Sequence, residues 1–88
     1  MNKEEIINGI VSAMSDLQIP YETIYAEKGL ETKIVDDLGL DSLDIIEMAF
    51  QIEERLNIPL KESDIEKLKN GTLSTLGDLV ELLSINQK

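Results

Sequence analysis

Residues 36–44 read Asp36-Asp37-Leu38-Gly39-Leu40-Asp41-Ser42-Leu43-Asp44. Gly39 indicates a tight turn, because glycine adopts backbone angles that other residues avoid. Asp41 is a residue type that favourably caps the start of a helix. Residues 42–56 then repeat apolar side chains at helical spacing, and Pro59 follows as a stop. The stretch therefore predicts a turn that leads into a helix whose first residue is Ser42.

Upstream of this stretch, the pattern predicts one helix and one long loop. Residues 3–17 carry an apolar stripe at helical spacing, with Asn2 and Glu5 placed as a capping box and Pro20 just beyond the end. Residues 18–40 are predicted to be irregular, with at most a short helical turn near residues 21–28. The side chains expected to hold this loop on the core are Ile24, Leu30, Ile34, Val35 and Leu38.

Downstream, two more helices are predicted. A short one begins at Ser63, which with Glu66 has the spacing of a second capping box, and it ends at Asn70-Gly71. A last helix runs from about Thr75 with one apolar stripe, formed by Leu76, Leu79, Val80 and Leu83.

The sum of these elements is an all-α fold. We expect a four-helix bundle with three main helices, one short third helix and a long first loop, in a single domain spanning residues 1–88. The polar ends of the chain, 1–2 and 86–88, are expected to be disordered. Only three aromatic residues are present in the sequence, so the core must be aliphatic.

Composition and charge exclude several classes of function. The net charge of −10 repels phosphate backbones and anionic lipids, so neither nucleic acid nor membrane insertion is expected. A partner protein with a basic patch is the natural complement. The sequence has no Cys and no His, which removes disulfides, thiolate nucleophiles and imidazole chemistry. With no signal peptide or membrane span in the sequence, a cytoplasmic monomer is the expectation.

The helix over residues 42–56 is apolar on two faces. At about 100° per residue, one stripe is formed by Ile45, Met48, Ala49, Ile52 and Leu56. A second stripe, Leu43, Ile46 and Phe50, lies among carboxylates that include Glu47, Glu53 and Glu54. Either the long loop covers this second stripe, or the stripe is an exposed patch with an acidic rim. The second arrangement resembles a protein-docking surface.

The motif Asp-Leu-Gly followed by Asp41-Ser42-Leu43 resembles the phosphopantetheine attachment motif of acyl carrier proteins. The resemblance extends from about Ile6 to Leu83: a loop ending in Ile34-Val35-Asp36-Asp37-Leu38-Gly39, an acidic helix, Ile58-Pro59 and a short third helix follow in the family's order. An Asp-Ser pair alone would be a weak signal, because it occurs at many helix starts.

The resemblance implies a non-enzymatic carrier. A phosphopantetheinyl transferase would attach 4′-phosphopantetheine from coenzyme A to Ser42, and Asp41 would be needed for recognition by the transferase. The arm's thiol would carry acyl groups as thioesters in fatty-acid or related acyl biosynthesis. Acyl-processing enzymes with basic patches would contact a docking face comprising Leu43, Asp44, Ile46, Glu47, Phe50 and Glu54. The acyl chain would enter the interior near Met48, Ala49, Ile52 and Leu68.

The local chemistry of Ser42 agrees with this role. A hydroxyl on the first turn of a helix lies at the positive end of the helix dipole, where a phosphodiester is stabilised. No His or Lys next to it in sequence would activate it as a nucleophile in its own right. The simpler interpretation is that Ser42 is an ordinary first-turn residue and Gly39 only a turn glycine.

Three alternatives remain at this point. A specialised carrier for aminoacyl, peptidyl, D-alanyl or polyketide intermediates would share the attachment serine. This alternative is suggested by Lys67 and Lys69, which make the third predicted helix less acidic than that of most fatty-acid carriers. A cation-binding module is suggested by Asp36, Asp37, Asp41, Asp44 and Glu47, but their order is not that of a Ca²⁺ loop, so no dedicated metal site is expected. A scaffold domain without a cofactor would leave Ser42 unmodified.

Overall fold

The computed structural model describes residues 1–87 and is all-helical in that range. Five α-helices follow one another: α1 (Lys3–Asp16), α2 (Glu22–Lys28), α3 (Ser42–Leu56), α4 (Glu62–Lys69) and α5 (Leu76–Asn86). A single 3-10 turn, Gly29–Glu31, follows α2. The predicted all-α bundle is confirmed, with α1, α3 and α5 as the long helices and α4 as the short one. The helical turn expected near residues 21–28 is the separate helix α2.

Capping residues set most of the helix starts. The Asn2 side chain accepts a hydrogen bond from the Glu5 amide at 2.9 Å, and the Glu5 carboxylate accepts one from the Asn2 amide at 3.1 Å, as predicted. Thr75 forms the same kind of reciprocal pair with Asp78 at the start of α5, at 3.1 Å in both directions. These pairs satisfy amide groups that a helix start otherwise leaves without partners.

The predicted start of α4 is wrong by one residue. The helix begins at Glu62 rather than Ser63, and the carboxylate of Asp64 accepts a hydrogen bond from the Lys61 amide at 3.0 Å. A Ser63–Glu66 capping box does not form, because the extended backbone at Lys61 already presents its amide to Asp64. The predicted end is confirmed, since α4 ends at Lys69 and Asn70 follows it.

The end of α3 has a different cause from the one predicted. The helix ends at Leu56 as expected, but Asn57 takes the left-handed conformation, with φ 54° and ψ 38°, two residues before the helix breaker Pro59. A hydrogen bond from the Leu60 amide to the carboxylate of Glu53, at 3.0 Å, then folds the segment back along α3.

The core is aliphatic and centres on α3. Its predicted inner stripe, Ile45, Met48, Ala49, Ile52 and Leu56, is buried throughout. The helices α1 and α3 pack closely at Gly9, where an added methyl group would overlap the Leu56 side chain. An ion pair between Asp16 and Arg55 joins the same two helices. Their close packing fixes the side of α3 that faces inward.

The long loop is held on the bundle by backbone hydrogen bonds as well as by apolar side chains. The Ile34 amide donates to the Ser74 carbonyl at 2.9 Å, and the Leu76 amide donates to the Thr32 carbonyl at 3.0 Å. Ile34 and Leu38 are buried as predicted, and Ile24 and Val35 are partly buried. Leu30 is 37% exposed, yet it lines a small apolar cavity with Val11 and Val80, so it contacts the core as expected without being buried in it.

The expectation of disorder at the chain ends is wrong for Asn2 and Asn86. Asn2 caps α1, and Asn86 is the last residue of α5. The Asn86 side-chain amide donates to the Pro59 carbonyl at 2.9 Å and to the buried carboxylate of Asp64 at 3.2 Å. The part of that prediction concerning Lys88 lies outside the described residues.

Replacing Ile52 with alanine is expected to lower the free energy of unfolding by about 2–5 kcal/mol, because Ile52 is fully buried and the change opens a cavity. Phe50→Ala serves as the matched control on the other face of α3 and should cost about 1 kcal/mol or less. Chemical denaturation of both variants measures the difference. Equal losses would contradict the assignment of Phe50 to the surface.

The stability of the loop–α5 junction is expected to depend on acid. Hydrogen bonds from the backbone amides of Thr75 and Ser74 hold the pKa of the Asp78 carboxyl below its ordinary value of 3.8. Ionised Asp78 therefore stabilises the folded chain above about pH 3.8, and this contribution is lost as the pH falls through the lowered folded pKa.

Asp78→Asn should consequently lower the free energy of unfolding by a constant amount well above pH 3.8, and by a shrinking amount below it. Denaturation across this pH range measures the effect. Ser84→Ala, a change without a titrating group on the same helix, should give an offset that does not vary with pH. A constant offset for Asp78→Asn would rule out the ionised hydrogen-bonded carboxylate as the cause.

Candidate functional site

The turn that precedes α3 is built from the backbone of residues 33–39. The carbonyl of Lys33 accepts hydrogen bonds from the amides of Asp37 and Leu38, at 3.0 and 3.1 Å. The Val35 carbonyl accepts from the Gly39 amide at 2.9 Å, and Gly39 has φ +67°. This left-handed conformation favours glycine, which confirms the turn predicted at this position.

Of the two consecutive aspartates in the motif, Asp37 has a structural role and Asp36 is exposed. The Asp37 carboxylate accepts from the Lys33 amide at 2.8 Å and from the Lys28 ammonium at 2.9 Å. These two hydrogen bonds, the one to the Lys33 amide above all, lower the pKa of Asp37. The same contact raises the pKa of Lys28. Asp37 thus connects the turn to the end of α2.

Ser42 is the first residue of α3 and is exposed. The Asp41 carboxylate before it accepts a hydrogen bond from the Asp44 amide at 2.9 Å, and the Asp44 carboxylate accepts from the Asp41 amide at 3.2 Å. Leu38 and Leu40 are buried on either side of Gly39 and anchor the turn. The Ser42 hydroxyl is therefore presented to solvent from a helix start that is held on both sides.

The second apolar stripe of α3 lies at the surface. Leu43 and Phe50 are 63% and 62% exposed, and Ile46 between them is half-buried. The alternative in which the long loop covers the stripe is wrong for Leu43 and Phe50. Glu47 and Glu54 are exposed beside the stripe. The structure thus combines an apolar centre with an acidic rim on one face of α3.

Two other carboxylates near this face are engaged within the fold. Asp44 is half-buried and belongs to the capping pair of α3, while the Glu53 carboxylate accepts a hydrogen bond from the Leu60 amide. Within residues 1–87, no group of three or more acidic side chains is placed to share a metal ion. The acidic segment therefore does not converge on a cation site, and the cation-binding alternative gains no support from the geometry.

A groove at the C-terminal end of α3 was not predicted from the sequence. It has a volume of about 510 Å³, and its walls are formed by Phe50, Glu53, Glu54, Asn57, Ile58 and Pro59. Asn57, whose left-handed conformation ends α3, lies in its wall. The sequence signal for this helix end was an asparagine directly after the last apolar position of the helix, because asparagine often adopts the left-handed conformation at helix ends.

The interior residues expected to surround an acyl chain are closed to solvent. Met48, Ala49, Ile52 and Leu68 are each fully buried. In this conformation they form packed core, and a chain could enter among them only if that packing opened.

Within residues 1–87, no helix is both long and apolar enough to cross a membrane.

Comparison with known proteins agrees with the geometry. The family model described as "Phosphopantetheine attachment site" matches residues 15–83. The acyl carrier protein of Thermotoga maritima is 32% identical over 82 residues, covering 93% of this chain and 91% of that protein. That of an Exiguobacterium species is 36% identical over 81 residues, covering 91% of each, and that of Wolinella succinogenes is 39% identical over 57 residues, covering 65% and 68%.

The fold and the site thus define a small helical carrier protein of the class that bears a phosphopantetheine group. Within that class, the chain belongs to the acyl carrier protein family. The prosthetic group of this family is a covalently bound 4′-phosphopantetheine. The residues at the start of α3 fit such a group, because Ser42 offers an exposed hydroxyl beside the first amides of the helix, which favour an anion.

Proposed function

We propose that this chain carries acyl groups as thioesters on a 4′-phosphopantetheine arm attached to Ser42, and presents them to enzymes of fatty-acid or related acyl biosynthesis. The observation that carries the proposal is the exposed Ser42 at the capped start of α3, within the segment matched by the family. When bound, the arm supplies the thiol that holds the acyl group.

Ser42 has the environment of a passive acceptor. The sequence contains no His or Cys, so neither an imidazole base nor a cysteine thiol accompanies its hydroxyl. A phosphopantetheinyl transferase would have to remove the hydroxyl proton while the serine oxygen forms a bond to phosphorus and the nucleotide part of coenzyme A leaves. The positive end of α3 would then stabilise the phosphodiester. The chain acts as a carrier and supplies no catalytic group.

Asp41 has two separable properties under this proposal. Its carboxylate caps α3, and its negative charge lies one residue before the attachment site, where a transferase would recognise it. Asparagine caps helices about as well as aspartate. Asp41→Asn would therefore keep the helix start while removing the charge, which separates recognition from stability.

The exposed stripe on α3 is proposed as the docking face for acyl-processing enzymes. Its residues are Leu43, Asp44, Ile46, Glu47, Phe50 and Glu54. A partner with a basic patch around an apolar contact would complement both the charge and the chemistry of this face. In the same proposal the chain acts as a monomer in the cytoplasm.

Attachment is tested by incubating the chain with coenzyme A, Mg²⁺ and a broad-specificity phosphopantetheinyl transferase. Intact mass should increase by one arm, and Ser42→Ala should abolish the increase. Ser63→Ala is the matched control, because Ser63 is also exposed on the first turn of a helix, and it should be labelled normally. An unchanged mass, while a known carrier is labelled in parallel, would refute the proposal.

Docking is tested with the same transferase as the defined partner. Glu47→Lys should lower its kcat/KM by several-fold to about tenfold, since a rim charge that is reversed slows association. Glu4→Lys makes the same charge change at an exposed site on α1 and should leave the rate nearly unchanged. Melting temperatures of both variants show whether folding is affected. Equal rate losses would mean that only net charge matters and that α3 is not the docking face.

A further inference from the structure

A polar depression lies beside the turn that carries the motif. Its volume is about 270 Å³, and its walls are formed by Lys33, Val35, Asp36, Lys69, Asn70, Gly71 and Ser74. One wall belongs to the segment before Ser42, and the other belongs to the connection between α4 and α5. This size is slightly below the usual range of ligand pockets, so it suits a small group rather than a long chain.

The walls of the depression are held by hydrogen bonds. The amide of Ile34 donates to the carbonyl of Ser74 at 2.9 Å, which joins the two walls directly. The Leu73 amide donates to the Lys67 carbonyl at 3.0 Å, and the Asn70 side chain accepts from the Thr72 amide at 2.9 Å. These contacts form the depression within the folded chain, before any ligand is bound.

The depression is rich in hydrogen-bond donors. Lys33 is exposed, and among the described residues no carboxylate lies within ion-pair distance of its ammonium group. Lys69 is half-buried and contacts Glu66 at 3.1 Å. The Ser74 hydroxyl and the Asn70 amide add further donors. The walls contain Lys33, Lys69 and one carboxylate, Asp36, and Glu66 binds Lys69 from outside the walls, so Lys33 is the lysine whose charge is left for an anion.

The depression is within reach of an arm on Ser42. The Val35 carbonyl is 2.9 Å from the Gly39 amide, and Gly39 is three residues before Ser42. Three residues span at most roughly 11 Å, so Val35 lies within about 14 Å of Ser42 along this route. A phosphate followed by pantoyl, β-alanyl and cysteamine units is comparable in length to four residues, or roughly 14 Å.

We propose that this depression binds the carboxylate end of a short acyl group, with Lys33 as its first counter-charge and Lys69, exchanging its exposed ion pair with Glu66, as its second. The inference rests on the proposed attachment at Ser42. Without these lysines, the acidic surface would repel such a cargo. A long alkyl chain would find no polar partner here and would have to open the packed core instead. The lysines thus favour a carboxylated short cargo over an uncharged one of equal length.

The experiment loads the chain with one of two coenzyme A analogues, glutaryl or pentanoyl, in which an amide replaces the hydrolysable thioester. Both cargoes have five carbons and differ in the terminal carboxylate. Intact mass first shows whether the arm is attached, and ¹⁵N–¹H spectra then compare the two loaded forms. The amide shifts that differ between them should lie mainly at residues 33–36 and 69–74, and be several-fold larger there than in α1.

The double variant Lys33→Gln/Lys69→Gln should abolish this difference, and Lys61→Gln/Lys67→Gln, which removes two exposed lysines elsewhere, should retain it. Identical spectra for the two cargoes, or a difference that survives in Lys33→Gln/Lys69→Gln, would overturn the inference while leaving attachment intact. Failure of loading would instead refute attachment at Ser42, and the inference with it.

Discussion

The hydrogen-bonded pair of Asp41 and Asp44 determines the residue at which α3 begins, and much of the rest of the structure depends on that start. A helix advances about 100° per residue, so a start fixed at Ser42, together with the packing of α3 against α1, sets which later side chains face the core and which face solvent. With the start at Ser42, Ile52 and its neighbours point into the core while Leu43 and Phe50 point to solvent. The same start leaves the Ser42 hydroxyl exposed at the positive end of the helix.

The acidic residues divide into those that accept hydrogen bonds within the fold and those that remain free at the surface. Asp37, Asp64 and Asp78 accept backbone amides at a turn, at the start of α4 and at the start of α5. Glu47 and Glu54 lie exposed on α3 beside the second apolar stripe. Strong net charge works against a compact state through self-repulsion, and the amide hydrogen bonds offset part of that cost where the carboxylates are engaged. Glu47 and Glu54 are among the carboxylates that remain free, and both lie on the face proposed for docking.

The long loop and the connection from α4 to α5 form one structural unit although they are distant in sequence. Thr32 and Ile34 exchange backbone hydrogen bonds with Leu76 and Ser74. These hydrogen bonds hold the segment that leads into the turn at Gly39, and residues of the same junction form the walls of the donor-rich depression. The position of Ser42 and the shape of the surface beside it therefore have a common structural origin.

The sequence by itself determined the helices, the turn and the position of the candidate serine. These depend on neighbours: apolar spacing along 42–56, capping residues such as Asn2 and Asp41, and a glycine where the backbone turns. At the start of α4 the sequence spacing indicated Ser63, whereas the helix begins at Glu62 and the Asp64 carboxylate accepts a hydrogen bond from the Lys61 amide.

Only the tertiary structure decided which surfaces stay open and which distant residues meet. Exposure of Leu43 and Phe50 depended on the path of a loop with no regular pattern of its own. The contact of Asn86 with Asp64 and the approach of Lys33 to Lys69 join residues far apart in the chain. Such contacts carry no local sequence signal, because packing of the whole core, rather than the spacing of neighbours, brings them together.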